Sequence, residues 1–370
     1  MLSRLRFDAS GTAGRRYPEL PHPYRNDFQR DRDRVIHSRA FRRLENKTQV
    51  FPRGLSDHFR NRLTHSIEVA QISRTVAGAL GLNTDLTEAL ALVHDIGHPP
   101  FAHAGEQELD RLMRLYDDRF DHNLHALRIV EHFEHRYARF PGLNLTFEVR
   151  EGIVKHSHDL APGGPPELAE YLPEFRPPLE AQLIDLCDEV AYNASDIDDA
   201  FSAELLDAAT VRASVSEFDE LYDTIENQYP GAPERVRLHE VVRGLINYLV
   251  SGLITGTIEA AAGVETVDDV RRHSERIARY TPRAAAANAQ LKAILRREVY
   301  QSEMVTAERR ESTGRIAELF QYLMAHPEAL PEGYVEDSPS GELHRAVCDY
   351  IAGMTDGYFD RVHGQLIRFA

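Results

Sequence analysis

Only two cysteines, Cys187 and Cys348, occur in 370 residues. That excludes a disulfide framework and a zinc–thiolate cluster. Positive charge is also in deficit: 43 Lys and Arg face 59 Asp and Glu, a formal net charge of −16. Nonspecific binding to nucleic acid or to an anionic membrane is therefore not the main task. Single-stranded nucleic acid stays open as a partner but is disfavoured. An anionic small molecule is compatible, because a metal and local arginines override the global sign. The start, MLSRLRFDASG, lacks an apolar signal core. No apolar run reaches transmembrane length; the longest, 245–258, is broken by Asn247, Ser251 and Gly252. No membrane partner is expected, and the chain reads as cytoplasmic. Strand alternation, internal repeats, a Gly-rich phosphate loop and a Ser or Cys nucleophile motif are missing too. Hydrophobic residues make up 42% of the chain, enough for one large domain or two intimate ones.

What is present is concentrated in residues 94–103, HDIGHPPFAH. Ten residues carry three imidazoles and a carboxylate. The preceding DLTEALALV is apolar and helix-forming. Gly97, Pro99 and Pro100 then end the helix, since proline cannot continue one and restricts the residue before it. A helix end can turn the adjacent His94 and Asp95 toward one point. Satisfied core histidines are the plainer alternative, and three of them beside an Asp outweigh it.

The rest reads as helices. Glycines and prolines make residues 1–24 extended. Next, 26–51 carries Arg30, Arg32, Arg34, Arg39, Arg42, Arg43 and Lys47 beside an apolar stripe. These cations pair with aspartates or hold phosphates; the pattern does not choose. A helix over 57–80 buries Leu63, Ile67, Ala70 and Val76 and presents Arg62 and His65 on one face. Another starts at Thr84, with Asp85 and Glu88 suiting its dipole. Helices follow over 106–116 and from Asp121-His122-Asn123. His122 sits at that helix start, while His125, His132 and His135 fit outer faces. Residues 146–156 and 179–200 are helical. In the latter, Asp188, Tyr192 and Asp196 recur every four residues and share a face. Residues 202–370 are helical throughout, with one long buried helix over 235–263.

His65, His94, Asp95 and Asp188 offer two imidazoles and two carboxylates from three helices. Such a set suits an octahedral divalent metal with positions left open. Manganese is the first choice, with iron, cobalt and nickel next; magnesium avoids imidazole. An open-sided metal acidifies bound water and polarises a phosphoryl oxygen. His98, His103, Glu106 and His122 could move protons or hold phosphate oxygens. This reaches metal-assisted phosphate-ester or anhydride hydrolysis, without naming a substrate.

The order His65, His94-Asp95, Asp188 resembles the HD superfamily of metal phosphohydrolases. Longer stretches are more specific: RYPELPHPYRNDFQRDRDRVIHSRAFRRLENKTQVF, RLTHSIEVAQI, HDIGHPPFAHAGE, DHNLHALRIVE, DEVAYNASDIDDA and DYIAGMTD. Together they resemble the deoxyguanosine triphosphate triphosphohydrolase family, in its shorter bacterial branch. The resemblance implies an all-α HD-domain fold with additional C-terminal helices. It sets an arm and Arg-rich helix at 1–56, a metal-hydrolase core at 57–201, and a C-terminal helical region at 202–370. It implies hydrolysis of dGTP or other deoxynucleoside triphosphates to deoxynucleoside and inorganic triphosphate. His65, His94, Asp95 and Asp188 would bind metal. His122 would lead the acid/base work with Glu106, and His98 and His103 would contact phosphates. Arg62, Tyr192, Asp196 and Asn123 would contact substrate, with Tyr350, Asp356 and Tyr358 as candidates for the sugar and base. A homo-oligomer and an allosteric nucleotide are further implications. Two alternatives stand. One is another HD hydrolase, for nucleoside monophosphates or guanosine tetraphosphate, which would lack the flanking matches. The other is a non-catalytic nucleotide sensor, which should have lost a ligand; none is lost.

Overall fold

A computed structural model describes residues 1–51, 58–332, 334 and 341–367. The expected boundary at 56/57 and the expected helix start at Asp57 lie outside the described residues. The fold is all-α, as the absence of strand alternation implies. Among the described residues, extended pairing is limited to two isolated bridges, Arg15 with Thr146 and Thr48 with Asn61.

The chain forms two compact units, each assembled from separated segments. One comprises Met1–Gly11, Ile67–Ala91 and His156–Val305. Its central helices are Leu179–Ser202 and Glu234–Ala260. Cys187, Val190, Ala194 and Ile197 form the buried stripe of the first. By length and composition the second could span a membrane, an 18-residue stretch of it having mean hydropathy 1.4. This corrects the reading that no stretch is long enough: Asn247, Ser251 and Gly252 break the run without adding charge. Within the unit its glycines are contact points. A Cβ on Gly252 would lie 2.3 Å from that of Ala284, and one on Gly256 2.4 Å from the Tyr280 carbonyl carbon. Such close backbone approach is what glycine permits. Thr281 caps the Pro282–Ile294 helix that packs there.

The other unit comprises Thr12–Ser66, Leu92–Lys155 and Thr306–Ala370. Its core joins Leu109, Leu112, Met113 and Phe120 to Ile316, Phe320, Val347, Ile351 and Phe359. Asn26 opens the Asp27–Ile36 helix with a capping box to Gln29. Of the cations in this segment, Arg30 pairs with Asp27, Arg32 with Asp33, and Arg34 with both oxygens of Glu19. Lys47 is an exception, buried with its ammonium on backbone carbonyls.

Two burial expectations fail. Ile67 is 52% exposed; the inward face of the Arg62–Leu80 helix carries His65, Val69, Ile72, Val76 and Leu80 instead. Ala70 and Val76 are buried as expected, and Ser66 and Ser73 share the buried side. His125 is buried rather than outward, its Nδ1 3.1 Å from Asp349 Oδ1, which also accepts from Arg128. Burial, the largest influence, pushes its imidazole down to about 4 against the pull of Asp349. Asp349 is held at about 2, because Arg128 and His125 outweigh its own burial.

Candidate metal centre and active site

The Thr84–Val93 helix delivers the central stretch. It stops at Val93, and two tight turns follow: Ile96 N–H donates to Val93 and His98 N–H to Asp95. His94, Asp95 and His98 are all buried there. Gly97 makes the turn possible against the His122–Arg128 helix. A Cβ on Gly97 would lie 2.0 Å from the His122 carbonyl oxygen and 2.5 Å from Ala126 N. Backbone cannot yield cheaply to that. Gly97→Ala should destabilise the fold by about 1–3 kcal/mol and lower turnover, read by denaturant unfolding and initial rates. Wild-type values for both would refute the tight contact.

His65, from the Arg62–Leu80 helix, faces the same point. Its Nε2 is 4.0 Å from Asp95 Oδ2, and His94 Nε2 is 3.6 Å from Asp95 Oδ1. The three ligand atoms lie within 4.8 Å of one another. Metal–ligand bonds run about 2.0–2.2 Å, so atoms roughly 3–4.4 Å apart can share one ion. Two imidazoles and a carboxylate, buried and convergent, thus fit a divalent metal of the nitrogen-tolerant kind. Arg62 Nη1 donates to Asp95 Oδ2 at 2.7 Å. Burial, the largest single influence, raises the Asp95 carboxyl, but Arg62, His94 and His98 together outweigh it and hold the group well below the usual range. The site therefore keeps an ionised oxygen donor.

Beside this set lies a histidine–carboxylate pair. Glu106, on the Ala102–Met113 helix, accepts from His122 twice. Its Oε1 is 2.6 Å from the ring Nδ1 and 3.1 Å from the backbone N. Burial opposes ionisation of Glu106, yet bonds to His103 and His122 hold its carboxyl far below its ordinary value. An ionised carboxylate only accepts, so Nδ1 of His122 carries the proton and Nε2 is left to act. The His122 ring stacks on that of His98, centroids 3.9 Å apart and 18° from parallel. His98 Nε2 is 3.1 Å from Asp95 Oδ1. Burial first, then Arg62 and His122, push the His98 imidazole well down, so it is neutral. Its Nε2–H is committed to Asp95, and among the described residues its buried Nδ1 has no hydrogen-bond partner. His103 is exposed, Nδ1 3.5 Å from Glu106 Oε2. One compact unit thus brings together His65, His94, Asp95, Arg62, His98, His103, Glu106 and His122. Asn123 is buried next to His122 in sequence.

Asp188 lies in the other unit, half-buried midway along Leu179–Ser202, with Tyr192 and Asp196 at successive turns. Asp196 is buried and accepts from the Tyr300 hydroxyl at 2.5 Å. Tyr192 is half-buried, and burial pushes its hydroxyl up. Tyr350 and Tyr358 meet hydroxyl to hydroxyl at 3.2 Å. Asp356 is buried, and among the described residues its oxygens accept from the Thr48 N–H and hydroxyl and from the Phe101 N–H. Tyr300 escaped the sequence reading, and Lys47 entered it only as one cation among seven. The partners of both are distant in sequence.

Comparison with known proteins agrees with this geometry. An HD domain model matches residues 62–193, and a phosphohydrolase-associated domain model matches 278–365. A deoxyguanosinetriphosphate triphosphohydrolase-like protein of Azoarcus sp. (strain BH72) is 45% identical over 95% of this chain and 93% of its own. Proteins of the same name from Bordetella pertussis and Geobacter sulfurreducens are 43% and 42% identical. They cover 99% and 97% of this chain, and 96% and 94% of their own. An HD domain implies a divalent metal, and the buried His–Asp group could bind one. At this identity over nearly full length, the chain belongs to the deoxyguanosinetriphosphate triphosphohydrolase-like family of HD-domain phosphohydrolases.

Proposed function

We propose that the protein hydrolyses deoxynucleoside triphosphates, dGTP among them, to deoxynucleoside and inorganic triphosphate. One observation carries the reading furthest: the Glu106–His122 pair is one stacked ring away from the buried His65–His94–Asp95 donors. Proton transfer and phosphate polarisation are thereby available side by side. His65, His94 and Asp95 would hold the metal, and Asp188 keeps the ligand role that the resemblance gives it. Manganese is the ion we favour, since imidazole donors disfavour magnesium. When bound, such an ion polarises a phosphoryl oxygen and acidifies water.

The chain's own groups supply the rest. A water oxygen forms a bond to the α-phosphorus, and the bond from that phosphorus to the sugar 5′ oxygen breaks. His122 Nε2 takes a proton from the attacking water and a proton passes from it to the leaving oxygen, while Glu106 orients the ring through Nδ1–H. His98 is a neutral spacer that holds Asp95 on one side and the His122 ring on the other. Arg62 balances the charge of Asp95. His103, exposed beside Glu106, and Tyr192 and Asp196, on the Asp188 helix, remain the proposed substrate contacts.

Ion chromatography of products from all four deoxynucleoside triphosphates, with added manganese, tests this. We expect intact triphosphate and free deoxynucleoside, with oxygen-18 from water in the triphosphate. Pyrophosphate with a nucleoside monophosphate would refute the assignment and leave only metal hydrolysis. Release of phosphate from nucleoside monophosphates instead would favour the other HD reading.

A further inference from the structure

The backbone between His98 and Ala102 is strained. Phe101 and Ala102 have φ of 63° and 55°, a region that side-chain-bearing residues rarely enter. Strain of this kind persists only where surrounding contacts over-determine it. Here they do. The Lys47 ammonium donates to the His98 carbonyl oxygen and, at 3.1 Å, to that of Ala352. Asp356 Oδ1 accepts from Phe101 N–H at 3.2 Å. Asp356 Oδ2 accepts from Thr48 N–H at 2.8 Å and from the Thr48 hydroxyl at 2.6 Å. Lys47 and Thr48 are neighbours in the chain, so both tethers share one piece of backbone. Gly105 adds a third constraint, since a Cβ there would lie 2.0 Å from the Pro100 carbonyl oxygen. The turn is thus gripped at the carbonyl of 98 and the N–H of 101. His98 and His103 stand at its two ends, with ring centroids 5.4 Å apart.

We propose that Lys47 and Asp356 are positioning residues: they lock the strained 98–102 turn and so hold His98 in its stack on His122 and its bond to Asp95. Lys47 suits the task because a buried ammonium has three donors and no acceptor. Two backbone carbonyls orient it without adding a second ionic group. Asp356 suits it because one carboxylate can take an N–H on each oxygen. The resemblance offered Asp356 as a sugar or base contact; its carboxylate is instead spent on the protein's own donors.

The inference rests on the proposed acid/base role of His122 and His98, and it has its own readout. A displacement of about 1 Å in such a group can cost on the order of 10²-fold in rate. Asp356→Ala should lower kcat by roughly 10–10²-fold with KM little changed. Amide hydrogen exchange should quicken across 98–103 and at Thr48, whose N–H loses the same acceptor, and not across the rest of the unit. Asp356→Asn keeps an acceptor for Phe101 N–H and should recover much of both. Lys47→Met, which keeps the chain length and removes the donors, should act in the same direction. It also carries the test if Asp356→Ala fails to fold. A raised KM with unchanged kcat would make Asp356 a substrate contact and overturn the proposal. So would wild-type exchange at Phe101, or faster exchange spread over the whole unit. If the wild type releases no triphosphate, the functional reading fails, while the exchange data still decide whether the tether exists.

Discussion

Replacing Asp95 with alanine should strip the metal, abolish turnover and destabilise the fold together. The stability loss has a definite source. Arg62 and Asp95 are both buried, with side chains 3% and 7% exposed, and Arg62 Nη1 donates to Asp95 Oδ2 at 2.7 Å. Removing one partner of such a pair leaves a buried charge uncompensated, at a cost of about 3–5 kcal/mol. The metal loss has a different source. Asp95 is the one carboxylate within reach of both His65 and His94 in that unit's His–Asp group. Loss of a direct ligand should exceed the roughly 10–100-fold penalty typical of outer partners. Adding Arg62→Met to Asp95→Ala separates the two effects. The double variant should regain stability, because no charge is stranded, and should still hold no metal. Elemental analysis and denaturant unfolding read these independently. A single Asp95→Ala variant with wild-type metal content would refute the assignment of the centre.

His122→Ala should leave metal and fold nearly intact and cut turnover by about 10²–10⁴-fold, the usual worth of a placed general acid or base. The ring sits at the N-terminus of a short helix capped by Asp121, so its removal leaves the cap in place. Its bonds run to Glu106, away from the His65–His94–Asp95 group. Glu106→Gln should lower turnover in the same direction. A neutral amide can donate as well as accept, so it no longer forces the proton onto Nδ1 of His122. Metal content by elemental analysis and single-turnover rates at saturating nucleotide decide the matter. Wild-type rates for His122→Ala would pass the acid/base role to His98 or His103. His98 is poorly suited, because its Nε2–H is already given to Asp95.

Helix positions were legible because the apolar period of 3.6 is a local property of the chain. Thr84 opens its helix as read, and the 179–200 pattern appears as Leu179–Ser202. The helix expected over 106–116 instead begins at Ala102 and tightens into a 3-10 turn over Arg114–Tyr116. Its entry runs through the left-handed Phe101, which no sequence pattern announces. Ile67 and His125 were misplaced for a related reason. Burial of one residue depends on what packs opposite it. Serines can share a buried stripe, and a histidine can be drawn inward by an aspartate 224 residues away.

The sequence by itself determined the helical class, the break after Val93, and the convergence of histidine with aspartate there. Each follows from neighbours within a few positions: a helix-forming run, a glycine, two prolines, and adjacent ligating side chains. Tertiary structure decided the rest. It gave Glu106, which the resemblance already set with His122, its bonds to the ring Nδ1 and the backbone N–H. It made His98 a buried neutral spacer rather than a free base, and it spent Asp356 on Thr48 and Phe101. These outcomes depend on burial and on hydrogen bonds between distant segments, so charge state and availability cannot be read from the local order of residues.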